Sequence, residues 1–170
     1  MKFTSLLSTG LVFAGLLSLT STAFASAPTG GGAKVAILID RGLEGRPQDQ
    51  QNQLNQVCDY FEPDLLEQFN RAGYLAVKIT ARDQFQPAPG KYLAVVKIIK
   101  YNPGSKAARM LVGFGAGSAS LDLRFEVYGE GPQPLLVKDH GRGSSRDWQF
   151  VCRTLSKDLV KFMGEALKAK

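Results

Sequence analysis

The sequence predicts an α+β fold: a two-layer sandwich in which a mostly antiparallel five-stranded sheet carries two helices on one face, in the order β-α-β-β-β-β-α. Three observations predict it. Two segments space their apolar residues at three- and four-residue steps, five shorter segments are β-branched or alternate in polarity, and turns rich in Gly and Pro separate them.

Residues Lys34 to Asp40 (KVAILID) form a short apolar run that reads as a strand. Arg41 to Gln53 is polar and contains Pro47, which predicts a loop leading into a helix. Leu54, Val57, Cys58, Phe61, Leu65 and Phe69 then follow helical spacing. Pro63 interrupts the pattern and predicts a kink or a fresh start near Glu62, with Gly73 as the C-terminal cap. Tyr74 to Thr80 alternates as a half-buried strand, with Leu75, Val77 and Ile79 on one side.

Gln84 to Gly90 is a turn with two prolines, and Lys91 to Tyr101 is apolar on both faces at its centre, the mark of a central strand. Asn102-Pro103-Gly104-Ser105 is a turn. Ser120 to Tyr128 alternates most cleanly, placing Leu121, Leu123, Phe125 and Val127 inward. Pro134 to Asp139 is the last strand. Trp148, Val151, Cys152, Leu155, Leu159, Phe162 and Leu167 mark a long final helix, with Ser144 or Ser145 as its N-cap and Asp147 in its first turn.

The domain occupies 34–170. Before it, residues 1–25 read as a signal peptide: Lys2 supplies the positive start, Leu6 to Leu19 the apolar run, and Ala23-Phe24-Ala25 the small-x-small cleavage pattern. Residues 26–33 are a flexible leader. The apolar run is shorter than the roughly 20 residues that span a bilayer, so no stable membrane anchor is expected. Cleavage after Ala25 predicts a periplasmic or secreted protein. That compartment is oxidising, and Cys58 and Cys152, the only cysteines, are predicted to form a disulfide between the two helices.

Of 170 residues, 44% are hydrophobic and 21% charged, which excludes a disordered, collagen-like or coiled-coil chain. One His and two Cys exclude a Cys/His zinc cluster, and no metal or other cofactor is expected. Gly113-Phe114-Gly115-Ala116-Gly117 superficially resembles a phosphate loop, but an alternating strand follows it instead of a helix N-terminus, so the glycines predict a bend or close backbone approach. His140 stands beside Asp139 and near Ser144 and Ser145. Strand neighbours point to opposite faces and no G-x-S-x-G elbow is present, so an exposed loop histidine is expected and no enzyme. Residues 26–90 hold 6 basic and 8 acidic side chains, and 91–170 hold 14 and 7. A basic second half suits anionic headgroups, cell-wall polymers or an acidic partner. Nucleic acid is not expected, because no aromatic-basic recognition motif is present.

The residues Asn102 to Arg109, with their P-G-S turn and Arg, followed by Gly113 to Ala119 with its G-F-G-x-G run, resemble an exported bacterial family of unknown function. The resemblance spans about residues 34 to 165. Members are often lipoproteins, whereas the first cysteine here is Cys58, well past the cleavage site. The resemblance implies small envelope α+β domains similar to the amino-terminal domain of the Tol-Pal translocation protein, and it transfers no catalytic residue.

These readings converge on a non-enzymatic soluble periplasmic accessory protein. It would bind an envelope protein or cell-wall component through Gly113, Phe114, Gly115, Gly117, His140, Arg142 and Arg146, with homo-oligomers also compatible. The alternative is a periplasmic inhibitor or immunity protein against a toxic hydrolase.

Overall fold

A computed structural model describes residues 31–104 and 117–169. The expected signal peptide, most of the leader, and Gly113, Phe114 and Gly115 lie outside the described residues. The elements are β1 (Lys34–Asp40), α1 (Gln48–Arg71), β2 (Leu75–Ile79), β3 (Lys91–Asn102), β4 (Ala119–Tyr128), β5 (Pro134–Ser144) and α2 (Trp148–Lys168). A single 3-10 turn, Arg82–Gln84, lies between β2 and β3.

The five strands form one sheet in the order β2-β1-β3-β4-β5. The sheet is mixed: β1 runs parallel to both neighbours, while β3-β4 and β4-β5 are antiparallel. Two crossovers make the parallel part, α1 between β1 and β2 and the chain of residues 80–90 between β2 and β3. A long helix between two strands lets the chain cross over and re-enter in the same direction, which a tight turn does not permit.

α1 is longer than its apolar spacing indicates. It starts at Gln48, directly after Pro47, and runs unbroken through Pro63. Proline fits ahead of a first turn, and glutamine is a good helix former, so the polar stretch becomes helix with an exposed surface. β5 continues five residues beyond Asp139 to Ser144. Asp147 itself caps α2, accepting from the Phe150 N–H at 2.6 Å, whereas the Ser144 hydroxyl accepts from the Arg146 N–H.

The core lies between one sheet face and the two helices. Val35 and Ile37 of β1, Val96 and Ile98 of β3, and Leu121, Leu123, Phe125 and Val127 of β4 meet Phe61, Leu65 and Phe69 of α1 and Leu155, Leu159 and Met163 of α2. The Tyr60 ring packs edge-on against Trp148, with centroids 5.4 Å apart, and ties the start of α2 to α1.

Cys58 and Cys152 also sit in this core, each as a free thiol, so the expected bridge is not formed in this structure. Burial pushes both thiols up to about 12. Cys58 lies close enough to Cys152 that a thiolate on one disfavours a thiolate on the other. An apolar setting that keeps both sulfurs protonated also keeps them slow to react, because the thiolate is the nucleophile.

Gly104, just past the end of β3, packs backbone to backbone against the start of β4. Gly104 and Gly117 both have positive φ, 75° and 71°. A Cβ on Gly104 would collide with the Gly117 carbonyl oxygen and lie 2.8 Å from the Ala119 nitrogen. Close backbone approach is thus what Gly104 serves. Gly104→Ala is expected to destabilise the protein by about 1–3 kcal/mol, read as a lower midpoint in urea unfolding. An unchanged midpoint would show that the backbones part at no cost.

Candidate functional site

Helices cover one face of the sheet, and the register shows what the other face carries. Lys34 stands between Leu75 and Lys91, Ala36 between Val77 and Leu93, and Leu38 between Ile79 and Val95. Val35 and Ile37, their neighbours along β1, point into the core, so these three rows point away from it. The alternation in β2 was legible in sequence, but its apolar side turns outward. Leu75 and Val77 are 55% and 58% exposed, while Lys78 turns inward to pair with Glu62 of α1.

The chain between β2 and β3 bends over this apolar half. Gln84, Phe85 and Gln86 line a groove of about 420 Å³ together with Ala36, Leu75, Val77 and Ile79, with Lys34 and Lys91 at one end. The far half of the same face is polar. Arg124 of β4 grips Asp139 of β5 with two hydrogen bonds of 2.7 and 2.8 Å. The bonded pair raises the Arg124 pKa and lowers that of Asp139. The Arg82 guanidinium lies 4.1 Å over the Tyr128 ring. Val137, half exposed, extends apolar surface along β5 on that face.

The predicted contact residues divide between two places. Gly117 and Arg146 lie at the end of the sheet, where β4 begins and β5 gives way to α2. The Arg146 guanidinium stacks 4.7 Å over Phe150. His140 and Arg142 occupy the helix-facing side of β5, opposite Leu123 and Leu121. His140 is therefore a strand residue, not the exposed loop residue expected. Its Nε2 lies 2.8 Å from Asp158 of α2, and its ring packs edge-on against Phe162. Arg142 donates to the same Asp158 oxygen at 2.7 Å. Asp139 bonds Arg124 on the opposite face, so Asp139 and His140 do not form a dyad.

Partial burial by itself raises the Asp158 pKa, but the hydrogen bonds from Arg142 and His140 outweigh it and hold the carboxyl below 3.8. A native pKa below the unfolded one makes the carboxylate a stabilising group above that pH. Its contribution fades as the pH falls through the lowered value. Asp158→Asn should be less stable at neutral pH and should lose stability less steeply below pH 3.8, as read from urea midpoints across pH. An acid limb identical to that of the parent protein would contradict the role given to Asp158.

A third cluster was not foreseen. Glu62, almost fully buried on α1, receives Arg41 at 2.9 Å and also Lys78. Arg41 further donates to Asn55 and Asp59. The sequence signal was a carboxylate beside Phe61, within the apolar stripe of α1. Among the described residues, no group of three or more His, Cys, Asp or Glu side chains is gathered as a metal site. No helix among them is long and apolar enough to cross a membrane.

Residues 32–164 match the model of a family described as a domain of unknown function, DUF4410. No curated protein matches the sequence. Among solved structures, the chain is similar to the PelC dodecamer from Paraburkholderia phytofirmans, with a TM-score of 0.51 and 14% identity over 76% of this chain and 85% of that one. It is likewise similar to a dodecamer of a leucine-to-methionine variant of PelC from the same organism, with a TM-score of 0.54 and 13% identity over 76% and 87%. Identities this low show a shared fold.

Proposed function

The chain belongs to the DUF4410 family of domains of unknown function, and from that premise we propose that it is an exported, non-enzymatic accessory protein of the cell envelope. Its signal peptide is removed after Ala25, and the mature protein acts in the periplasm by holding another envelope component against the uncovered face of its sheet. The observation that carries this reading is the exposed apolar surface of β2 on that face, where Leu75 and Val77 are 55% and 58% exposed and line a groove with Ala36, Ile79 and Phe85. Water-exposed apolar surface of this kind marks a place where a protein meets something else.

Photo-crosslinking in intact cells tests the reading. A photoreactive residue replacing Val77 should capture a component that one replacing Lys157, on the outer side of α2, does not. Equal capture from both positions would reject the surface. Arg146→Glu, at the sheet end, should leave capture at position 77 intact.

The PelC structures are described as dodecamers, which supports self-association here along the unpaired edges of β2 and β5. Sedimentation equilibrium should give a mass several times that of one chain, and a monomer at all concentrations would contradict it. In the oxidising periplasm, Cys58 and Cys152 close into a disulfide, passing two electrons and two protons to a thiol–disulfide oxidant. Protein from that compartment, denatured without reductant, should be lighter by two hydrogens and resist alkylation. Two alkylated sulfurs would refute the bridge.

A further inference from the structure

We propose that the groove along β2 is a binding site for a single-chain anionic amphiphile of the fatty-acid class, its carboxylate between Lys34 and Lys91 and its tail along Leu75, Val77 and Ile79. This rests on the reading of the bare sheet face as a binding surface and names what that surface takes.

The chemistry changes along the groove in one direction. At one end Lys34 and Lys91 are direct register partners on β1 and β3. Among the described residues neither forms an ion pair, and no Asp or Glu lines the groove. Like charges in register on adjacent strands disfavour each other, and an anion bound there relieves the repulsion. From there the wall along β2 is aliphatic, and Phe85 lines the groove between Gln84 and Gln86. Three other surface depressions lack this polarity: one carries Arg82 with Glu130, another Lys97 with Asp40 and Glu44, and a third Arg46 with Asp49. In contrast to these three, the groove along β2 joins an apolar wall to uncompensated positive charge.

The length also fits. Leu75 to Ile79 spans about 13 Å at roughly 3.3 Å per residue. An extended acyl chain advances roughly 1.3 Å per methylene, from C–C bonds of about 1.5 Å, so a tail of about ten carbons lies along it. The volume is that of an ordinary small-molecule site.

Calorimetric titration of the purified protein with dodecanoate, below its micellar concentration, tests the proposal. One molecule should bind per chain. Each buried methylene tightens binding about fourfold, so octanoate should bind about two orders of magnitude more weakly. Val77→Asp should abolish binding with an unchanged melting temperature, because that side chain is exposed. Lys34→Glu with Lys91→Glu should weaken dodecanoate at least tenfold and leave dodecyltrimethylammonium no weaker. No dodecanoate binding to the parent protein, equal binding of the cationic amphiphile, or indifference to Val77→Asp would each overturn the proposal. If capture at position 77 in cells persists without dodecanoate binding, the amphiphile is wrong and the docking surface stands.

Discussion

Phe125→Ala is expected to destabilise the protein by about 3–5 kcal/mol. Phe125 lies in the middle of β4, with Val96 beside it on β3, and its side chain is fully buried in the layer between sheet and helices. β4 is paired along its length on both sides, so the backbone cannot collapse into the space the ring would leave. The lost transfer energy and the cavity therefore add. The melting temperature should fall by about 10 °C or more. Val137→Ala, on the exposed side of β5, is the control and should shift stability by less than about 0.5 kcal/mol. A fall for Phe125→Ala no larger than the control's would mean that this layer is not the core.

Glu62→Ala should cost about 3 kcal/mol, the lower part of the range for breaking a buried ion pair. The carboxylate is nearly enclosed, but its partners are partly exposed, Arg41 by 26% and Lys78 by 41% of their side chains. Water can therefore reclaim the two cations when their partner is gone, which holds the loss below that of a fully buried pair. Replacing Glu62, Arg41 and Lys78 together by Leu, Met and Met should recover most of the loss, since a buried ion pair gives little net stability over packed apolar groups. Urea unfolding of the single and triple variants reads this directly. A triple variant as unstable as Glu62→Ala would show that the ions, and not the mismatch left by removing one, hold α1 to β1 and β2.

An element is legible in the sequence where its burial imposes a period on the side chains. β4 was legible to within one residue, because a strand with one buried face writes its burial as strict alternation. The apolar stripes of α1 and α2 were legible for the same reason at helical period. The start of α1 was not, since Gln48 to Gln53 contributes nothing to the core and so has no stripe. The parallel pairing of β1 with β2 and β3 was not legible either, because alternation is identical for both directions of pairing.

The site misled in a more instructive way. Leu75, Val77 and Ile79 alternate as β4 does, and alternation alone cannot say which face meets the core. Only Lys78, drawn inward by buried Glu62, settles that β2 presents its apolar side to solvent. His140 drew notice as the sole histidine, yet its position on β5 aims it at Asp158, far along the chain on α2. Lys34 and Lys91 are separated by α1 and β2 in sequence and became neighbours only through the parallel β1–β3 register.

The proposed function requires the bare side of the sheet to be covered in the living cell. Val77→Cys supplies the measurement, because Cys58 and Cys152 are buried and, bridged or reduced, do not compete for label. A small membrane-impermeant maleimide, admitted to the periplasm, is applied to intact cells and to the dilute purified protein, with Lys157→Cys in parallel. Position 77 should react readily in the purified protein and be protected in cells, while position 157 reacts in both. Equal labelling of position 77 in cells and in dilute solution would mean that nothing rests on that face, and would contradict the proposed function.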